Sequence, residues 1–336
     1  MRRDRSAPSG TLHRLKLDCR ALRGNFLNEE TLRAIDVYAP HGCEGRELAL
    51  LVDLVGFTAG GPAHTNWKNF GENVPERLDR LIASGAMAPC VVAFPDCYTK
   101  LGGNQYINSS VMGPWADVIR TEIVPYVEQQ FGCGGRGRRG VFGKSSGGYG
   151  AITHALLYPD FWAAAACHSG DMAFELCYLP EFPRLLRTLG KKNFDIKAWI
   201  DAFHASPKLN NNDLHDLMTL AMCASYDPAP EEPSGIRLPV TTDTCELIAE
   251  RWANFLKWDP LELVKTHAAG LAQLKALYID CGSVDQYNLV YGARRLHRAL
   301  IAAGTAHTYE EFADDHSSVD YRMDVSLPLL AQALNR

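Results

Sequence analysis

The chain lacks the features that would place it in several large classes. No stretch approaches the ~18 consecutive apolar residues of a membrane span, so no membrane partner is expected. The N-terminus, MRRDRSAPSGTLHRLKLDCR, has no apolar core of the ~7–15 residues a secretory signal needs. There is no CxxC, and the 10 cysteines are scattered from Cys19 to Cys281. Free thiols and a cytoplasmic location are the expectation that follows. Basic charge is not in excess either: 34 Lys and Arg face 39 Asp and Glu, a net charge of −5, which offers no electrostatic footprint for nucleic acid. HExxH is absent, as is GxGxxG after the first strand, so neither a zincin nor a dinucleotide fold is indicated. No internal repeat is seen.

What is there is an alternation of short apolar runs with helical patterns. Residues 12–18 and 31–38 read as a first hairpin; 47–55, 89–95, 139–143, 162–168, 274–280 and 307–312 complete eight strands. Runs such as ELALLVDLV are apolar throughout, as strands buried on both faces are. Helical spacing fills 114–131, 146–158 and 291–303. The pattern predicts an α/β fold with a mostly parallel sheet covered on both faces. Residues 172–273 break the alternation, with helix candidates near 181–190, 195–204, 212–224, 243–256 and 260–270 and a Pro-rich loop at 227–239. This predicts a core of residues 1–171 and 274–336 with a helical insertion or lid, 172–273, over the C-terminal edge of the sheet.

The strongest motif is Gly143-Lys144-Ser145-Ser146-Gly147-Gly148, which fits G-x-S-x-G between an apolar strand and an Ala/Ile/Leu-rich helix. Such a turn tolerates no side chain two residues before or after its serine, which selects Ser145 over Ser146 as nucleophile. A serine hydroxyl needs a histidine base, and the histidine needs a carboxylate. In an α/β-hydrolase the order is Ser, acid, His. Asp285 follows the strand LKALYID, with Asp280 as a rival inside that strand; His316 alone follows the last strand and precedes a terminal helix. His168 ends the strand after the motif and is a candidate to line the site. The loop Gly56-Phe57-Thr58-Ala59-Gly60-Gly61 is placed to supply one backbone N–H to an oxyanion, from Phe57 or else Thr58, and the Ser146 N–H supplies another. Gly56, Thr58, Lys144, Tyr149 and His168 are candidate substrate contacts. Phe57, Tyr106, Trp115 and Tyr149 are either pocket aromatics or core. Lys144 either pairs with a carboxylate beneath the turn or holds an anionic substrate group.

GFTAGG, FPD (94–96), GPWADVIRTEIVPYVEQQFG (113–132), GKSSGGYGA (143–151), CGSVDQY (281–287) and DDHSSVDY (314–321) together resemble the esterase D family of α/β-hydrolases. That family includes S-formylglutathione hydrolases, enterochelin esterases and feruloyl esterases. The resemblance covers about residues 45–171 and 250–335. It implies a Ser–Asp–His triad without metal or other cofactor, with Ser145, Asp285 and His316 at the matching positions and Phe57 and Ser146 as oxyanion donors. It also implies a small ester or thioester substrate cleaved through an acyl-enzyme. Lys144 stands where S-formylglutathione hydrolases often carry His, and 172–273 matches no motif of those compact enzymes.

Other readings are weaker. GKS lacks the Walker A glycine, because position 138 is Arg, and strand residues Val141 and Phe142 fall where a P-loop has only loop. Asp314-Asp315-His316 is the one local group that could ligate a metal. An acyltransferase using the same triad is the main alternative to a hydrolase, and a non-catalytic binding module on this scaffold is the remote one. Homo-oligomerisation is left open.

Overall fold

The computed structural model describes residues 8–336. Its eight main strands are β1 (Thr11–Asp18), β2 (Leu32–Ala39), β3 (Ala49–Leu54), β4 (Cys90–Pro95), β5 (Arg139–Lys144), β6 (Ala164–His168), β7 (Ala276–Gly282) and β8 (Thr308–Phe312). They form one sheet in the order β1-β2-β4-β3-β5-β6-β7-β8. The β1–β2 hairpin and the β2–β4 pair are antiparallel, and every other neighbour is parallel. All eight strands read from the sequence are present.

Side chains alternate across the sheet and feed two cores. Leu50, Val52, Val141, Ala165, Leu277 and Ile279 face one side, against the helices Ser146–Leu157 and Leu289–Ala302. Leu51, Val92, Phe94, Phe142, Ala166 and Tyr278 face the other, against the helices Val74–Ala83 and Met323–Leu334. A parallel sheet covered on both faces requires the continuous apolar runs that mark these strands.

The helix over 114–131 carries an irregularity that periodicity does not reveal. Its middle, Val118–Ile123, is a π-helical turn followed by the α-helix Val124–Phe131. Pro125 has no N–H to give the carbonyl four residues back, and the wider turn absorbs that loss. Between β6 and β7 lie six α-helices and, among the described residues, no sheet strand. One of these is shorter than its sequence suggests: 243–256 is helical only over Ala249–Leu256. Before it, the Thr241 hydroxyl meets Thr244 and accepts the Glu246 N–H, holding a turn that a helix would have to break. All ten cysteines are free thiols, nine of them buried. No helix among the described residues is long and apolar enough to cross a membrane.

The helix after β5 is buried along nearly its whole length, from Ser146 to Leu156. His154 sits inside it. Trp162 Nε1 donates to His154 Nδ1 (3.1 Å), so the proton is on Nε2, which donates to the Tyr106 carbonyl (2.7 Å). Burial pulls its pKa from 6.5 down to about 4, against the favourable Tyr106 carbonyl. Below pH ~6.5 the unfolded chain therefore binds a proton that the folded chain refuses, so stability falls as pH drops from about 6.5 towards 4. Between pH ~7 and pH ~5, urea midpoints should show His154→Gln losing about 2 kcal/mol less stability than the wild type. Equal losses would contradict this assignment of the proton.

Candidate active site

Strand β5 ends in a turn too tight for side chains on its flanks. A Cβ on Gly147 would stand 1.7 Å from the Leu54 carbonyl oxygen, one on Gly143 2.2 Å from the same atom, and one on Gly148 2.7 Å from the His168 oxygen. Between them Ser145 adopts φ 58°, ψ −126°, a strained conformation for a residue with a Cβ. The chain is held there by bonds on both sides: Ser145 N–H donates to the His168 carbonyl (3.0 Å), and Ser145 O accepts from Tyr149 N–H (2.8 Å). The helix N-terminus begins at the next residue, so the Ser146 amide stands at its positive end.

Two later loops meet beside this turn. Asp285 follows β7, and His316 follows β8. His316 Nδ1 lies 2.7 Å from Asp285 Oδ2, a carboxylate with no solvent-exposed side-chain surface. Asp285 Oδ1 accepts the Tyr287 N–H (2.9 Å), and the Tyr287 ring stands edge-on to the imidazole at 4.9 Å. The His316 N–H donates to Gln286 Oε1 (2.9 Å). The two loops touch across Gly282, where a Cβ would lie 2.4 Å from the Asp314 oxygen and 2.6 Å from that of Asp315. Neither of those acids forms with His316 a cluster arranged to hold a metal ion. Asp314 accepts from Tyr321 and Asp315 from the Ser317 N–H, and no group of three metal-ligating side chains occurs among the described residues.

Ser145 and His316 line a cavity of about 430 Å³, within the usual size of small-ligand sites. Gly56, Phe57, Thr58 and Lys144 share its wall. The Phe57 N–H meets no acceptor among the described residues. Behind Phe57 runs Gly103, where a Cβ would fall 2.1 Å from the Phe57 oxygen, so the loop is backed by main chain.

Two expected substrate contacts do not reach the cavity. His168 is buried on the opposite face of the sheet, with Nδ1 on Asp280 (2.7 Å) and Nε2 on Ser326 Oγ (2.8 Å). Tyr149 is fully buried, its hydroxyl on the Trp258 carbonyl (3.0 Å) and its ring packed on Tyr226. Tyr106 and Trp115 are core as well, so of the four aromatic candidates only Phe57 lines the cavity. The rival acid Asp280 belongs to a structural network with His168, Tyr278 and Arg322 (2.8 Å) and does not approach His316.

Sequence reading missed Asp171, two residues past the residue that follows β6. Its Oδ2 accepts from the Tyr178 hydroxyl (2.9 Å) and from Ser146 Oγ (3.3 Å), and Ser146 Oγ in turn accepts from Gln105 Nε2 (2.7 Å). Burial pushes the Asp171 pKa up, against the Tyr178 hydrogen bond. Its place just past a strand's C-terminal end was the available signal. Cys177, Tyr178, Leu214, His215 and Met218 also line the cavity. They come from the helices between β6 and β7, whose docking leaves no local signature. His64, on the same wall, is bonded to the buried Asp53 (2.6 Å). Burial pulls the His64 pKa down, but the Asp53 charge and hydrogen bond outweigh it and the net shift is upward.

This strand order, with a strained serine between β5 and its helix and acid and histidine loops after β7 and β8, is that of an α/β-hydrolase. Three solved structures share the fold over nearly their whole lengths. A ferulic acid esterase matches at 19% identity and TM-score 0.64, covering 97% of this chain and 99% of that one. A fluorophosphonate-binding serine hydrolase F of Staphylococcus aureus matches at 16% and 0.59, covering 96% and 99%. An S-formylglutathione hydrolase from Agrobacterium tumefaciens matches at 17% and 0.58, covering 98% and 97%. A search of curated proteins finds no match. The family model described as "Putative esterase" matches residues 30–327, so the chain belongs to that esterase family and is a carboxylic ester hydrolase. The match runs through 172–273, beyond the two blocks in which the sequence motifs were found.

Gly282→Ala forces the Asp285 and His316 loops apart without touching either side chain. It should lower ester turnover about 100-fold, the scale of an ångström-sized misplacement. Steady-state kinetics on folded protein, checked by its melting transition, measures this; full turnover would contradict it.

Proposed function

We propose that the ester is cleaved by two-step acyl transfer, with Ser145 as nucleophile, His316 as general base and then acid, and Asp285 as the group that orients His316. One observation carries the reading: the His316–Asp285 contact of 2.7 Å, with His316 and Ser145 on the wall of one cavity. With the Nδ1 proton committed to Asp285, the Nε2 lone pair is left to take the serine proton. The hydroxyl oxygen then attacks the carbonyl, and the Nε2 proton passes to the departing alcohol or thiol. Water repeats the sequence on the acyl-enzyme, giving its proton to His316 and releasing the acid.

The intermediate's negative oxygen is received by the Ser146 and Phe57 N–H groups. The glycine clearances at the turn and the main-chain backing of Phe57 support a preorganised pair, which needs no rearrangement when the charge forms. The substrate class is a small carboxylic ester or thioester. Residues 172–273 act as a cover for it, a role supported by the cavity walls formed by Tyr178, Leu214 and Met218.

Ser145→Ala and His316→Ala should each lower turnover of p-nitrophenyl butyrate by roughly 10⁴–10⁶-fold. Asp285→Asn should leave the fold intact and lower kcat. A fluorophosphonate should label wild type and not Ser145→Ala. Retained turnover in either alanine variant would remove that residue from its role.

A further inference from the structure

Four ionisable residues stand in register across β5 to β8, from the last residues of β5 and β6 to the middle of β8: Lys144 beside His168, His168 beside Asp280, and Asp280 beside Glu310. The last three are satisfied. His168 binds Asp280, and Arg322 reaches from beyond β8 to bind Asp280, Tyr278 and Glu310. Lys144 is the exception. Its side chain is half-buried on the cavity wall next to Ser145, yet it makes no ion pair or hydrogen bond among the described residues. A salt bridge beneath the turn, the structural role open to a lysine here, is not formed.

The carboxylates that face Lys144 have other partners. Asp285 is bonded to His316, Asp320 to Lys68 (2.7 Å), and Asp315 to the Ser317 N–H. Burial pulls the Lys144 pKa down, against the attraction of Asp320, Asp285 and Asp315, so the ammonium has lost water without gaining a direct counter-ion. His64, whose bond to Asp53 favours its protonated form, adds a second group of cationic tendency to the same wall, where Lys68 binds Asp320. A desolvated charge is costly unless paired, and this one opens on the cavity where a ligand can pair it.

We infer that Lys144 is a specificity residue that pairs with an anionic group, such as a carboxylate, carried by the ester. The inference rests on Ser145 being the nucleophile, since it places the anion within a side chain's reach of the scissile carbonyl. The charge can sit on the acyl part or on the leaving group, and these are separable.

Two substrate pairs do so. p-Nitrophenyl hemisuccinate against p-nitrophenyl butyrate places the charge on the acyl side, and p-acetoxybenzoate against p-tolyl acetate places it on the leaving group. The quantity read is the ratio of kcat/KM for the charged member to that for the neutral one. In one of the pairs Lys144→Met and Lys144→Gln should lower this ratio by about 10- to 100-fold, the worth of one charge-assisted contact, and Lys144→Arg should restore most of it. The unsubstituted enzyme gives an independent reading: succinamate should inhibit p-nitrophenyl butyrate hydrolysis more strongly than its neutral isostere succinamide. Ratios unchanged in both pairs would overturn the inference, and equal inhibition by the two amides would overturn its acyl-side form. Ser145-dependent turnover with unchanged ratios would sink this inference alone. Neutral-ester turnover surviving in Ser145→Ala would sink the triad reading instead.

Discussion

The site depends on how closely the Leu54 carbonyl can approach the turn after β5. That oxygen occupies the space where Cβ atoms on Gly143 and Gly147 would stand. With those two side chains absent, the chain reverses from strand to helix around a single residue and Ser145 is held at φ 58°. Strain of this kind costs of order 1–3 kcal/mol and persists only where the surroundings over-determine it. Here the surroundings are parallel strands on either side and a helix buried along its length. The same reversal starts the helix at Ser146, directly after a residue on the cavity wall, with the orphan N–H groups of a helix N-terminus in its first turn.

A second close approach sets the partners. Gly282 lets the chain around Asp314 and Asp315 lie against the end of β7, and this brings the Asp285 and His316 loops into contact. Behind them, Arg322, Asp280, His168 and Ser326 tie the start of the terminal helix to β6 and β7. The Asp285 and His316 loops are thus anchored at both ends on sheet and helix, which limits how far they can reorganise.

Much of this was legible because it is local. A strand buried on both faces, a glycine two residues from a serine, and a histidine between a last strand and a last helix all leave marks on adjacent residues. Distant contacts leave none. His168 ends a strand at the edge that carries the site, a place from which the sequence predicts a lining residue. The pleat instead turns it to the opposite face, towards Asp280 and Ser326. Tyr149 follows the serine by one helical turn, but that turn packs into Phe174 and Tyr226. Asp171 was overlooked because its meaning comes from Tyr178 and Ser146, one of them in a helical segment whose docking depends on tertiary packing. Lys144 was visible in the sequence, but whether it was paired could be learned only from the structure.

The central claim is that one serine carries the acyl group between leaving group and water. The most direct measurement is the mass of the protein quenched during turnover of p-nitrophenyl butyrate, followed by peptide mapping of the adduct. The account predicts a single butyryl group on the peptide containing Ser145, absent in Ser145→Ala. An adduct on another residue, with Ser145 unmodified while hydrolysis proceeds, would contradict it.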